Sequence, residues 1–180
     1  MIDRSFGKAR LRVITLTAAA LLYWVVTSLS STQEGHTKKE FFRVTRVIDG
    51  DTLQISNGEK VRLIGVDTPE ARYNSKLVRD ARRSGKDMKV IEALGRRASS
   101  FTKKLCAGRN VRLDFDVEKR DKYKRLLAYV YLEDGTFVNA KIVEEGYGEV
   151  MTVPPNVKFA DTFAKLQKEA RENNRGLWGK

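Results

Sequence analysis

Three short β-type runs follow one another between Phe41 and Val66 with only turn residues between them, which commits this part of the chain to a sheet. Phe41 to Ile48 mixes aromatic and β-branched residues. Thr52 to Ser56 resumes after Asp49-Gly50-Asp51, and Lys60 to Val66 follows Asn57-Gly58. An Asn-Gly pair between such runs is a strong hairpin signal, because both residues tolerate the positive φ of a two-residue turn. The third run is irregular: Val61 and Leu63 share one parity, Ile64 and Val66 the other. Its apolar face therefore switches beside Gly65, and the pattern predicts a β-bulge there. Further on, Val111 to Val117 alternates and Leu126 to Leu132 reads as a strand. Asp134-Gly135 then turns the chain into a short run through Phe137 and Val138. Helical spacing of apolar residues covers 90–105, with Gly108 as its stop, and 158–171. A shorter helix over 139–145 is expected, with Asn139 as its cap and Gly146 at its end. Short strands that begin as a meander, with helices between them, fit a small Greek-key barrel.

The N-terminal segment has another character. Arg4, Lys8, Arg10 and Arg12 precede an apolar stretch from Val13 to about Leu29, the pattern of a secretory signal peptide or an uncleaved membrane anchor. Ser28 and Ser30 offer small residues for cleavage, and the small polar residues up to Gly35 read as a linker. The division expected is a leader over 1–35 and a folded domain over 36–180, exported either as a secreted or periplasmic protein or held at the membrane. The formal charge of the chain is +12; residues 1–30 contribute four basic residues and one acid, so +9 remains with the rest. Such a charge favours polyanionic partners. Cys106 is the sole cysteine and His36 the sole histidine. No internal disulfide can form, and Ser-His-Asp, Cys-His and zinc chemistries lack their residues.

The remaining charged residues gather at strand ends. Asp49 and Asp51 lie two apart, so in an extended or bulged segment their carboxylates point to one side and can share a cation. A plain Asp-Gly turn is the alternative. A bulge after Leu63 would bring Arg62 onto the same face as Asp67. Asp67 and Glu70 flank Thr68-Pro69; there Asp67 can ligate a metal while Glu70 reaches a water beside it as general base, or the pair can be a salt-bridged surface turn. Arg125 presents a planar fork suited to phosphate, behind Lys122 and Tyr123, and the Tyr123 ring can stack on a base. A solvated basic turn is the plainer reading of that run. Taken together, clustered carboxylates and two arginines point to metal-assisted cleavage of a phosphodiester.

Val47-Ile48-Asp49-Gly50-Asp51-Thr52, the run Arg62 to Glu70, and the run Asp121 to Tyr129 occur in that order and closely resemble the motifs of the staphylococcal (micrococcal) nuclease family, the thermonucleases. Gly176-Leu177-Trp178 is similar too, and the resemblance covers residues 41–179. It implies an α+β protein built on a five-stranded OB-fold barrel with packed helices. It further implies a calcium-dependent nuclease that hydrolyses DNA and RNA to 3′-phosphate products, working as a monomer without an obligate protein partner. By position, Asp51, Asp67 and the Thr68 carbonyl would bind calcium directly, and Asp49 through water. Arg62, Glu70 and Arg125 would be catalytic, with Lys122 and Tyr123 on the substrate. A non-catalytic, membrane-tethered OB-fold domain that binds nucleic acid is the rival, but it would be free to lose residues that are all present here. The chain departs from the best-known member in three places: Lys124 stands where a glycine precedes the second catalytic arginine, the two base-packing tyrosines fall near Thr152 and Pro154, and residues 71–89 form a longer basic segment. That segment is expected to be either a basic flap over the substrate or a solvated loop with a short helix.

Overall fold

The protein is described here from a computed structural model covering residues 40–72, 75–85 and 87–179; the leader lies outside these residues. Strands β1 (Phe42–Asp49), β2 (Thr52–Ile55) and β3 (Lys60–Leu63) form the antiparallel meander read from the sequence. After β3 the chain leaves the meander and forms the short strand β4 (Gly65–Asp67). The helices α1 (Ser75–Ser84) and α2 (Met88–Cys106) follow, and after them come β5 (Asn110–Asp114) and β6 (Leu126–Leu132). β6 pairs parallel to β3, and β5 links β6 back to β1, closing a five-stranded barrel in the order β1-β2-β3-β6-β5. Helix α3 (Val138–Glu144), strand β7 (Glu149–Met151), helix α4 (Ala160–Glu172) and a 3-10 turn (Gly176–Trp178) complete the chain. This is the expected OB-fold with packed helices.

The barrel interior is filled by aliphatic side chains. Val44, Leu53, Val61, Val111 and Val130 are all at most 1% exposed, each worth about 1.5–3 kcal/mol of apolar burial. Outside it, Phe163 of α4 packs in a cluster with Tyr129 and Ile64, which seats α4 against β6 and the strand break. Cys106 is buried at the end of α2, and its thiol is pushed up to about 12 by burial, as suits a core residue.

The parity switch in the third run corresponds to a break and not to a bulge. The backbone turns at Ile64, with Gly65 at φ +78°, and β4 pairs antiparallel with β7 in a separate two-stranded sheet. A Cβ on Gly65 would lie 2.3 Å from the Phe163 ring, so only glycine supplies both the left-handed turn and the room for that ring. The buried Asn139 joins the two sides of the break. Its Oδ1 accepts from the Val130 N–H at 2.9 Å, and its Nδ2 donates to the carbonyls of Ile64 at 2.8 Å and Ala128 at 3.3 Å. Asn139 is thus inside α3, not its cap; Phe137 occupies the cap position and Val138 is helical. Phe137 makes only an isolated bridge to Tyr131, so the short strand expected there does not form. β5 also stops short of the expected Val117. The basic segment after Glu70 holds a helix, α1.

Candidate active site

The Asp49-Gly50-Asp51 turn connects β1 to β2, and α2 runs beneath it. Ser99 Oγ donates to Asp49 Oδ1 at 3.0 Å, and Thr102 Oγ1 donates to the Gly50 carbonyl at 2.7 Å. Asp51 is 6% exposed. Its Oδ1 accepts from Thr52 Oγ1 at 2.9 Å, while its Oδ2 accepts from the Thr68 N–H at 2.9 Å and from Thr68 Oγ1 at 3.0 Å. The turn is therefore bolted to the exit of β4. Asp49 is pushed up to about 7 by burial, by hydrogen bonding to Glu70, and by the charges of Glu70 and Asp51.

The strand break has the consequence that the parity argument anticipated. Arg62, on β3, and Asp67, at the end of β4, meet on one face: Nη2 lies 2.9 Å from Asp67 Oδ1 and 3.4 Å from Asp51 Oδ2. Nη1 donates to the carbonyls of Leu63, at 3.1 Å, and of Val66. The guanidinium thus bridges the two acids while its other arm holds the backbone on either side of Gly65.

Glu70 and Lys76 complete this side of the site. Helix α2 passes so close to Glu70 that a Cβ on Gly95 would lie 2.3 Å from the Glu70 carbonyl carbon and oxygen. Lys76, projecting from α1, donates from Nζ to the Thr68 carbonyl at 2.7 Å and lies 3.0 Å from Asp67 Oδ1 and 3.4 Å from Glu70 Oε1. Burial alone would lower the pKa of its ammonium, but Asp67, Asp51 and Glu70 outweigh burial and raise it. Among the described residues, no three His, Cys, Asp or Glu side chains are gathered closely enough to hold an ion by themselves. The oxygens that converge on Lys76 Nζ come from the Asp67 and Glu70 side chains and the Thr68 main chain, and Asp51 lies beside them against Thr68 and Arg62.

Opposite lies the loop of Asp121 to Arg125. Asp121 organises it, accepting from the N–H groups of Tyr123 at 2.9 Å and Arg125 at 3.0 Å, and from Arg125 Nε at 2.7 Å. Lys124 has φ +63°, the left-handed conformation that glycine adopts freely, which gives a physical sense to the departure noted at this position. Arg120 clamps the loop from outside, pairing with Glu59 and donating to the Lys124 carbonyl at 2.8 Å. The Arg125 guanidinium carbon sits 5.5 Å from the centroid of the Tyr123 ring and Lys122 Nζ 5.2 Å from it. Arg62 and Arg125 line one cleft of about 340 Å³, together with Lys122 and Tyr123. Its far wall is Met151 and Val153, aliphatic residues, and not Thr152 or Pro154, where the departure from the family's tyrosines was placed.

The residues singled out in the sequence thus fall into two adjoining groups, Asp49, Asp51, Asp67, Thr68 and Glu70 around Arg62, and Lys122, Tyr123 and Arg125 across the cleft. The sequence reading does not reach Ser99, Thr102 and Gly95, which sit in a helical pattern that signals only packing, and it gives Asn139 a cap's role in place of its contacts across the strand break. Lys76 falls within the basic segment 71–89, where nothing in the sequence sets it apart.

The model of the family described as staphylococcal nuclease homologue matches residues 60–180. A thermonuclease of Staphylococcus intermedius is 41% identical over 142 residues, covering 77% of this chain and 76% of the relative. A thermonuclease of Staphylococcus hyicus is 34% identical over 143 residues, covering 78% of this chain and 76% of the relative. Endonuclease YncB of Bacillus subtilis (strain 168) is 36% identical over 158 residues, covering 84% of this chain and 68% of the relative.

Proposed function

Because this chain belongs to the staphylococcal nuclease homologue family, we propose that it is a calcium-dependent nuclease that hydrolyses DNA and RNA phosphodiesters to 3′-phosphate products, with Glu70 as the general base. The observation that carries this reading is that both arginines line one cleft and that Arg62, at its edge, lies 2.9 Å from Asp67 and 3.4 Å from Asp51. The donors fit a hard divalent cation, since they are oxygens only, and one cationic nitrogen, Lys76 Nζ, already rests within 3.0 Å of both Asp67 Oδ1 and the Thr68 carbonyl. Asp51, Asp67 and the Thr68 carbonyl would hold the ion, with Asp49 behind them. When bound, such an ion polarises a phosphoryl oxygen and offsets the charge that builds up there.

The protein's own groups divide the rest of the work. Glu70, fixed by α2 at its backbone, takes the proton of the attacking water. Arg125, whose Nε and Nη2 lie 2.7 Å from Asp121 Oδ2 where it lines the cleft, binds phosphoryl oxygens as they gain charge, and Arg62 does the same from the opposite side. Tyr123 offers a ring face to a base, while the aliphatic Met151 and Val153 exclude water without stacking. The leader over 1–35 supports export, and the intact mass of the mature protein decides between cleavage and retention as an anchor.

The test is cleavage of plasmid DNA by Glu70→Gln, in calcium and in EGTA. Loss of general-base catalysis lowers the rate by about 10²–10⁴-fold, with the circular-dichroism spectrum unchanged. Cleavage by Glu70→Gln at the wild-type rate refutes the base assignment, and cleavage undiminished by EGTA refutes calcium.

A further inference from the structure

Helix α1 reaches into the site through a single side chain. Lys76 Nζ lies 2.7 Å from the Thr68 carbonyl, 3.0 Å from Asp67 Oδ1 and 3.4 Å from Glu70 Oε1, with only a quarter of its side chain exposed. An ammonium has three donors and no acceptor, and here all three directions meet oxygen. Two of those oxygens are ones assigned above to a divalent cation, and the third belongs to the proposed base. A calcium ion draws its oxygens to about 2.3–2.6 Å, closer than any contact Lys76 makes. Two positive charges cannot share the same oxygens at such range, because their repulsion in a partly buried site is screened far less than in water.

We propose that Lys76 is a tethered cation that holds Asp67, Thr68 and Glu70 together in the ion-free protein and is displaced when a divalent cation binds. This rests on the cation reading of the site and extends it. The ammonium joins Glu70 to Asp67, which Arg62 in turn ties to Asp51. It also ties α1 to the strand exit, so cation binding releases that contact and sets a positive charge free at the border of the site. The cost is affinity. A tether closed nine-tenths of the time weakens apparent binding about tenfold, because only the open fraction is competent.

Isothermal titration of the full chain with calcium chloride, without nucleic acid, tests this by comparing wild type with Lys76→Met, which keeps the apolar stem and removes the charge. Lys76→Gln, with a polar neutral head, repeats the comparison in case Lys76→Met does not fold. The neutral variants are expected to bind calcium about tenfold more tightly. Equal or weaker binding by folded variants overturns the proposal, since it would make Lys76 a neutral bystander or a supporting group for the ion. If neither wild type nor variant binds calcium, the cation reading itself falls and the role of Lys76 with it. Calcium binding by wild type with no gain in the variants removes only the tether.

Discussion

Gly95 occupies the middle of α2, where a glycine costs helix stability, and its position is explained by Glu70. An alanine there would bring its Cβ to 2.3 Å from the Glu70 carbonyl carbon and oxygen and 2.6 Å from the Ala71 nitrogen. Ordinary van der Waals contact begins near 3.4 Å, so the Glu70 backbone would have to retreat by about 1 Å. Forcing a methyl into a filled space costs about 1–3 kcal/mol, and the better helix propensity of alanine returns about 1 kcal/mol. The net loss of about 0–2 kcal/mol leaves the protein folded. Catalysis is far more sensitive, because a 1 Å misplacement of a reacting group can cost about 10²-fold. Gly95→Ala is therefore expected to lower single-turnover cleavage of DNA in calcium by about 10²-fold while its thermal midpoint falls only slightly. Wild-type turnover by a folded Gly95→Ala would refute the argument that α2 sets the position of Glu70.

Asn139→Ala leaves the Val130 N–H and the Ile64 carbonyl without their buried partner, and is expected to cost about 2–4 kcal/mol in urea unfolding; a change within experimental error would show that the break at Ile64 needs no pin. Without divalent cations, Asp49 keeps in the folded state a proton that the unfolded chain releases above 3.8. Its contribution is fully present below that value and is lost as the pH rises through about 7. Unfolding free energies from urea titrations in EDTA should decline across that window by about 1–2 kcal/mol after allowance for partial exposure, and Asp49→Asn should flatten the decline. Lys124→Gly removes a left-handed backbone penalty of about 1–2 kcal/mol and adds glycine's backbone entropy of about 0.5–1 kcal/mol. A net stabilisation of about 0.5–1 kcal/mol in thermal melts is expected, and a loss of stability would count against strain at that position.

The meander, the closing strand β6 and the long helix α2 are legible because their signals are local: alternation, a two-residue turn, apolar residues at helical spacing. The meeting of Arg62 and Asp67 was legible too, though the device behind it was not. Parity reports that the buried face of a run changes after Leu63; it does not say whether the strand continues with an extra residue or leaves the sheet. What decides is β7, a strand of three residues far along the chain whose pattern is too short to read, and the Phe163 ring that leaves no room for a side chain at Gly65. β1 shows the same limit. Val44 and Val47 are both buried although they differ in parity, because the pairing with β2 shifts register between them. Phe137 and Val138 have strand-forming side chains, yet Val138 opens a helix whose next residue, Asn139, is needed inside the barrel wall.

Lys76 and Gly95 show where local reading stops altogether. Among the cations between 71 and 89, nothing in composition separates Lys76 from Arg79 or Arg82; what separates them is the packing of α1, which sends one side chain inward to the Thr68 carbonyl and leaves Arg82 in solvent. Gly95 looks like a flaw in a helix until the chain segment it meets is known. Both residues act on Glu70, one at its carboxylate and one at its backbone, from two helices with no sequence relation to the Asp67-Thr68-Pro69-Glu70 run. The motif therefore supplies the proposed base, but the elements that position it, α1 and α2, lie outside the motif. Substitutions in α1 and α2 should accordingly change activity more than their effect on stability would suggest.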